Sequence, residues 1–120
     1  MPRTEVVLFS EDDGSTPLLE WLDVQPAKVQ DKCIVRLERL REMGHELRRP
    51  EADFLRDGIH ELRISFQRVQ YRMLYFFFRG RAVVTHGLTK EGKVPDVEID
   101  RAIERKGRFE KNPARYMYRE

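Results

Sequence analysis

Apolar positions along this chain follow two periods, and the change between them divides the sequence. Residues 5–9, EVVLF, form a short apolar run ahead of the turn-rich EDDGS and read as a strand. Thr16-Pro17 then signals a helix start, with Thr at the N-cap and Pro at the first helical position. Leu18, Leu19 and Leu22 give that short helix its apolar side, with Trp21 at the margin. A second helix is expected from Pro26 to Gly44, because Val29, Cys33, Leu37 and Leu40 recur at three and four residues while Lys28, Asp31, Arg36, Glu38, Arg39 and Glu42 occupy the other faces. Ile34 lies beside that stripe and is expected to widen it. Only Asp23-Val24-Gln25 separates the two helices, which predicts a helical hairpin.

Beyond a polar stretch at 44–53 the period shortens to two. Phe54-Leu55 is an apolar pair before the turn dipeptide Asp57-Gly58. In residues 59–66, Leu62, Ile64 and Phe66 alternate with Glu61, Arg63 and Ser65. Residues 69–78 are apolar on both faces toward their end, as a central strand covered on both sides requires. Arg79-Gly80 turns the chain into a third strand at 82–88. Pro95 opens a last helix with Ile99, Ala102 and Ile103 inward; Asp96 and Glu98 at its start and Arg105 and Lys106 at its end suit the helix dipole. The predicted order is βααβββα, an α+β fold. The domain is expected over residues 1–109, and 110–120 form a C-terminal tail that is docked, extended or disordered.

Composition narrows the class. One domain is expected from 120 residues, and 10% aromatic content argues against disorder. No apolar run approaches the roughly eighteen residues that cross a bilayer, and the N-terminal segment lacks the apolar core of a secretory signal. Cys33 is the lone cysteine and three dispersed histidines lack ligand spacing, so neither a disulfide nor a metal site is expected. These points make a cytoplasmic protein without membrane contact the expectation. The net charge of +2 is unevenly placed. Residues 1–53 hold 8 Lys/Arg and 12 Asp/Glu, whereas residues 54–120 hold 15 and 9. Seventeen of the 23 basic residues are arginine, whose planar fork matches phosphate. A basic second half points to an anionic partner, nucleic acid first, against the plainer reading of a mixed solvated surface.

Four fragments in order, LRDGIHELRI, YRMLYFF, VVTHGLTK and PDVEIDRA, carry a resemblance. Residues 55–103 resemble the phage-derived, HigB-like branch of the RelE/ParE toxin superfamily of type II toxin–antitoxin systems. The resemblance implies a RelE-like, antiparallel-rich sheet packed on the helical hairpin, with a basic concave face. It also implies a ribosome-dependent mRNA endonuclease that needs no metal or small-molecule cofactor, with mRNA, the ribosome and a cognate helix-turn-helix antitoxin as partners. Alternatives on the same fold are a ParE-like, non-enzymatic DNA gyrase poison and an inactive phage-derived binding module.

In such cleavage the 2′-hydroxyl attacks the adjacent phosphate, and the protein supplies cations for the crowded phosphorane and groups that move protons. The resemblance places Arg63, Arg72, His86 and Lys90 as the catalytic set; Lys93, Arg68 and Arg56 are further candidate RNA contacts. For the two arginines, the competing reading is an ion pair with Glu61. His86 on a strand shares a face with Val84 and Leu88 and reads more readily as a core histidine bonded to a neighbour. Glu91 stands where many relatives carry a second lysine, and Ile99 where the RelE branch has a tyrosine. The nuclease reading requires the Arg63 and Arg72 guanidiniums to converge on one open hollow.

Overall fold

The computed structural model describes residues 3–119. Strand β1 (Glu5–Leu8) leads into α1 (Pro17–Asp23) and α2 (Ala27–Met43), and a single 3-10 turn (Gly44–Glu46) follows. Four consecutive strands come next: β2 (Ala52–Arg56), β3 (Ile59–Phe66), β4 (Val69–Phe78) and β5 (Arg81–Thr89). The chain closes with α3 (Asp96–Lys111) and the short α4 (Pro113–Tyr116). The five strands form one sheet in the order β1-β5-β4-β3-β2, antiparallel except for the parallel pair β1 and β5. The fold is α+β and consistent with a RelE-like architecture.

β4 lies at the centre, and alternation along it builds two cores. Tyr71, Met73 and Tyr75 join Leu62 and Ile64 of β3 beneath α1 and α2, where Leu18, Val29, Cys33 and Leu40 close the layer. Leu74 and Phe76 face the other way and pack with Ile59, Val83, Ile99, Ala102 and Phe109 beneath α3. The hairpin keeps its expected boundaries: Pro17 opens α1, Pro26 precedes the first residue of α2, and Gly44 ends α2 at φ +53°. Ile34, expected to widen the α2 stripe, is 52% exposed instead.

Two features differ from the sequence reading, and a third decides what it left open. The first is an extra strand. β2 pairs antiparallel with β3 through the Asp57-Gly58 turn, where both residues have positive φ. Its five residues carry a bulge between Phe54 and Arg56, so no alternation advertises it. The second is a helix continuing beyond its expected end, for α3 runs through Gly107 to Lys111. The third concerns the tail, which is docked. Phe9 forms an antiparallel bridge with Met117, Ser10 N–H donates to Tyr116 O (2.8 Å), and Tyr118 N–H donates to Leu8 O (2.9 Å). Tyr116 stacks on Phe9 with ring centroids 5.5 Å apart. The tail thereby covers the outer edge of β1, a strand edge that would otherwise offer unpaired backbone groups.

Candidate functional site

The α3 side of the sheet is not covered along its whole length. Ahead of the N-terminal end of α3, strands β2, β3 and β4 and the loop between β5 and α3 enclose an open hollow of about 500 Å³, lined by Arg49, Asp53, Glu61, Arg63, Arg72 and Lys93 among others. Four cations therefore face two carboxylates in the hollow.

Register sets the central pair. Arg63 and Arg72 are direct cross-strand partners on β3 and β4, so pleating sends both side chains to the same face. Like charges directly opposite repel, and Glu61, two residues before Arg63 on the same face, compensates. Arg63 Nη1 donates to Glu61 Oε2 at 3.0 Å, and Arg72 Nη1 donates to Glu61 Oε1. The two arginines are not equivalent. Arg72 is 4% exposed, whereas the Arg63 side chain keeps a quarter of its surface open at the mouth of the hollow. The arginines thus converge on one hollow and are also ion-paired within it.

Arg72 does a second job. Its Nη2 donates to the carbonyl of Gly92 at 2.9 Å, while its Nε is buried without a partner. The bond ties the β5–α3 loop to the sheet; Gly92 takes φ +73° there. Lys93, the next residue, reaches the rim as a consequence. Lys90 instead continues the β4–β5 pairing through its backbone, N–H to Gln70 O at 3.1 Å, and does not line the hollow.

His86 sits apart from this cation cluster. A bulge between Leu74 and Tyr75 on the β4–β5 ladder sets His86 opposite Leu74 and Val84 opposite Tyr75. His86 and Val84 consequently face opposite cores, where the sequence reading put them on one face. His86 is buried under α3, with Nδ1 3.0 Å from Thr85 Oγ1 and Nε2 3.1 Å from Glu98 Oε1. Burial, reinforced by Arg105, pushes its pKa down to about 4 against the pull of Glu98. A neutral ring fits these contacts, Nε2–H donating to Glu98, while the Thr85 hydroxyl lies within reach of both His86 Nδ1 and the Leu74 carbonyl.

The other proposed RNA contacts scatter. Arg56 pairs with Asp57 (2.9 Å) and Asp100 (2.7 Å), bracing β2 against α3. Arg68 lies at the exposed β3–β4 turn with φ +69°. Neither lines the hollow. Arg49, Asp53 and Gln70 are among the lining residues that escaped the sequence reading as site residues. Arg49 comes from the loop before β2 and pairs with Asp53 at 2.9 Å; nothing local in its surroundings marks it. Gln70 donates to Ser65 Oγ at 3.1 Å. Cys33 lies in the core under α2, where burial pushes its thiol up to about 11 and makes it a packing residue. Among the described residues no cluster of three metal-ligating side chains occurs, and no helix is long and apolar enough to cross a membrane.

Residues 20–107 match the family described as phage derived protein Gp49-like. The matched span runs from α1 to α3 and contains every residue that lines the hollow. No curated protein matches the chain significantly.

Proposed function

This chain belongs to the phage-derived Gp49-like family, a RelE/HigB-like family of toxin–antitoxin toxins, and on that premise we propose that it is a HigB-branch toxin that cuts mRNA on the ribosome and is held in check by a helix-turn-helix antitoxin. The observation that carries this reading is the convergence of Arg63, Arg72 and Lys93 on one hollow. A ribose–phosphate link seated there meets guanidiniums where negative charge grows as the 2′-hydroxyl attacks. The attack forms a 2′-oxygen–phosphorus bond and breaks the bond from phosphorus to the 5′-oxygen; the 2′-hydroxyl gives its proton to water and the 5′-oxygen takes one from water, leaving a cyclic phosphate and a free 5′-hydroxyl. Preorganised cations in a partly dry site stabilise that phosphorane more than they stabilise the ground state. Glu61 contributes by fixing both forks before RNA arrives, and in-line alignment of the 2′-hydroxyl falls to the ribosome. Among the described residues the carboxylates lining the hollow are Asp53 and Glu61, and Glu61 is committed to the two arginines.

A translation reaction with purified protein, ribosomes and a defined message tests the reading. Cleavage at discrete positions is expected from the wild type, with loss on Arg63→Ala in a protein that still folds. Intact message at stoichiometric protein overturns it.

A second reading has its own observation. Glu61 neutralises part of the arginine charge, and His86 is sequestered under α3 with both ring nitrogens bonded. Both facts suit a module that binds RNA without cutting it. RNA retained on the protein with no cut message favours that module, and inhibited supercoiling by DNA gyrase favours a ParE-like poison.

A further inference from the structure

The hollow does not end at Arg63. A second depression of about 370 Å³ adjoins it and shares Arg49, Arg63 and Gln70 as walls. Its position follows from unequal strand lengths. β2 pairs with β3 only as far as Leu62, so the stretch from Arg63 to Phe66 is flanked by a strand on one side alone. Helix α2 stands across that free end and brings Arg36, whose Nη1 reaches Glu51 at 2.8 Å.

Among the described residues, three guanidiniums line this second depression, Arg36, Arg49 and Arg63, and no carboxylate does, although Asp53 pairs with Arg49 and Glu61 with Arg63 from the adjoining hollow. The acid that balances Arg36 lies behind it. Glu51 is held in two-pronged fashion by Arg39, at 2.9 and 3.0 Å, as well as by Arg36. Arg36 thus shares its one carboxylate with Arg39, which Glu42 also influences. The Nε of Arg36 is also buried with no partner. Beyond Arg36 the surface continues into a third depression, which shares Arg36, Ile64 and Ser65 and adds Lys32 together with Asp31.

We propose that the depression between α2 and the free end of β3 is a second phosphate subsite, in which Arg36, with Arg49 and Arg63, grips a nucleotide flanking the one in the hollow. The proposal rests on the RNA reading above and adds a direction to it: the strand leaves the hollow past Arg63 toward α2. A groove lined by cations over several nucleotides is how a protein follows a single-stranded backbone without reading its sequence. Arg63 is the hinge of the arrangement, since it belongs to both depressions.

The experiment uses the full-length protein and two single-stranded RNA probes, a trinucleotide and a heptanucleotide carrying 2′-methoxy groups so that neither is cut. Affinities are measured over a range of salt concentrations for the wild type, Arg36→Gln and Arg36→Lys. Arg39 still holds Glu51 in both variants. Each phosphate contact on a single strand adds about 0.7 to the steepness of log affinity against log salt. The heptanucleotide is expected to bind the wild type more tightly and with a steeper salt dependence than the trinucleotide. Arg36→Gln should remove about 0.7 of that slope and most of the heptanucleotide's advantage, and Arg36→Lys should restore much of both. An advantage that survives Arg36→Gln overturns the subsite while leaving the hollow intact. Equal weakening of both probes overturns it too, since the effect then spreads beyond the flanking nucleotide. Failure of the wild type to bind either RNA sinks the RNA reading itself and the subsite with it.

Discussion

Arg63 and Arg72 stand directly opposite each other on adjacent strands and share one carboxylate, Glu61. The sharing makes them unequal. Arg72 is sealed in and carries a loop on its second nitrogen, whereas Arg63 remains open at the rim.

Substitution should separate the two roles. Arg72→Ala leaves Glu61 buried with one partner fewer and frees the Gly92 loop, and breaking a buried pair costs about 3–5 kcal/mol. Arg63→Ala removes a partly exposed member of the same trio and should cost about 1 kcal/mol or less. Urea unfolding of the two variants checks the difference, and the Arg63 variant should lose RNA affinity while keeping its fold.

The two lysines of the β5–α3 loop should differ in the same assay. Lys93 lines the hollow and Lys90 does not. Lys93→Ala is expected to weaken RNA binding several-fold, and Lys90→Ala to weaken it less. Both are exposed, so stability should move by no more than about 0.5 kcal/mol. Equal effects on binding would argue that the hollow is not where RNA sits.

His86 predicts a pH dependence of folding. Its folded pKa, about 4, lies below the ordinary value of 6.5. The unfolded chain therefore takes up a proton first, and stability present above pH 6.5 is lost as pH falls from there toward 4. Glu98, Arg101 and Arg105 face the ring and share in the balance. His86→Gln should flatten the stability profile across that window, read from denaturant midpoints at several pH values. An unchanged slope would place the acid sensitivity elsewhere.

Gly87 lies under Trp21, and a Cβ added there would stand 2.2 Å from the indole ring. Gly87→Ala should force the α1 indole off the sheet and cost about 1–3 kcal/mol, the usual range for overpacking. A lowered melting temperature with altered tryptophan fluorescence is the expected result.

The tail should behave as part of the domain's stability. Tyr116 is stacked on Phe9 and lies under the Arg108 guanidinium, 5.2 Å from the ring centroid. Tyr116→Ala should cost about 3 kcal/mol, as for other buried aromatics, and proteolysis at the C-terminus should accelerate. A melt that does not shift would show the tail to be dispensable.

The sequence by itself determined what depends on neighbours along the chain. Three- and four-residue spacing from Val29 to Leu40 and the glycine at 44 defined α2, and alternation from Leu62 to Phe66 defined the faces of β3. Both are local, because a helix and a strand each project side chains at a fixed angle per residue. Glu61 was legible as a possible partner for the arginines for the same reason, being two residues from Arg63. Only the tertiary structure decided the rest. β4 is apolar on both faces, so no pattern says whether Arg72 shares a side with Arg63; pairing register settles it. A single bulged residue on β5 moved His86 to the opposite core from Val84, a shift that alternation cannot signal. β2, Arg49 and Arg36 reach their places through contacts between distant segments, and the arginine-lined depressions exist only where those segments meet.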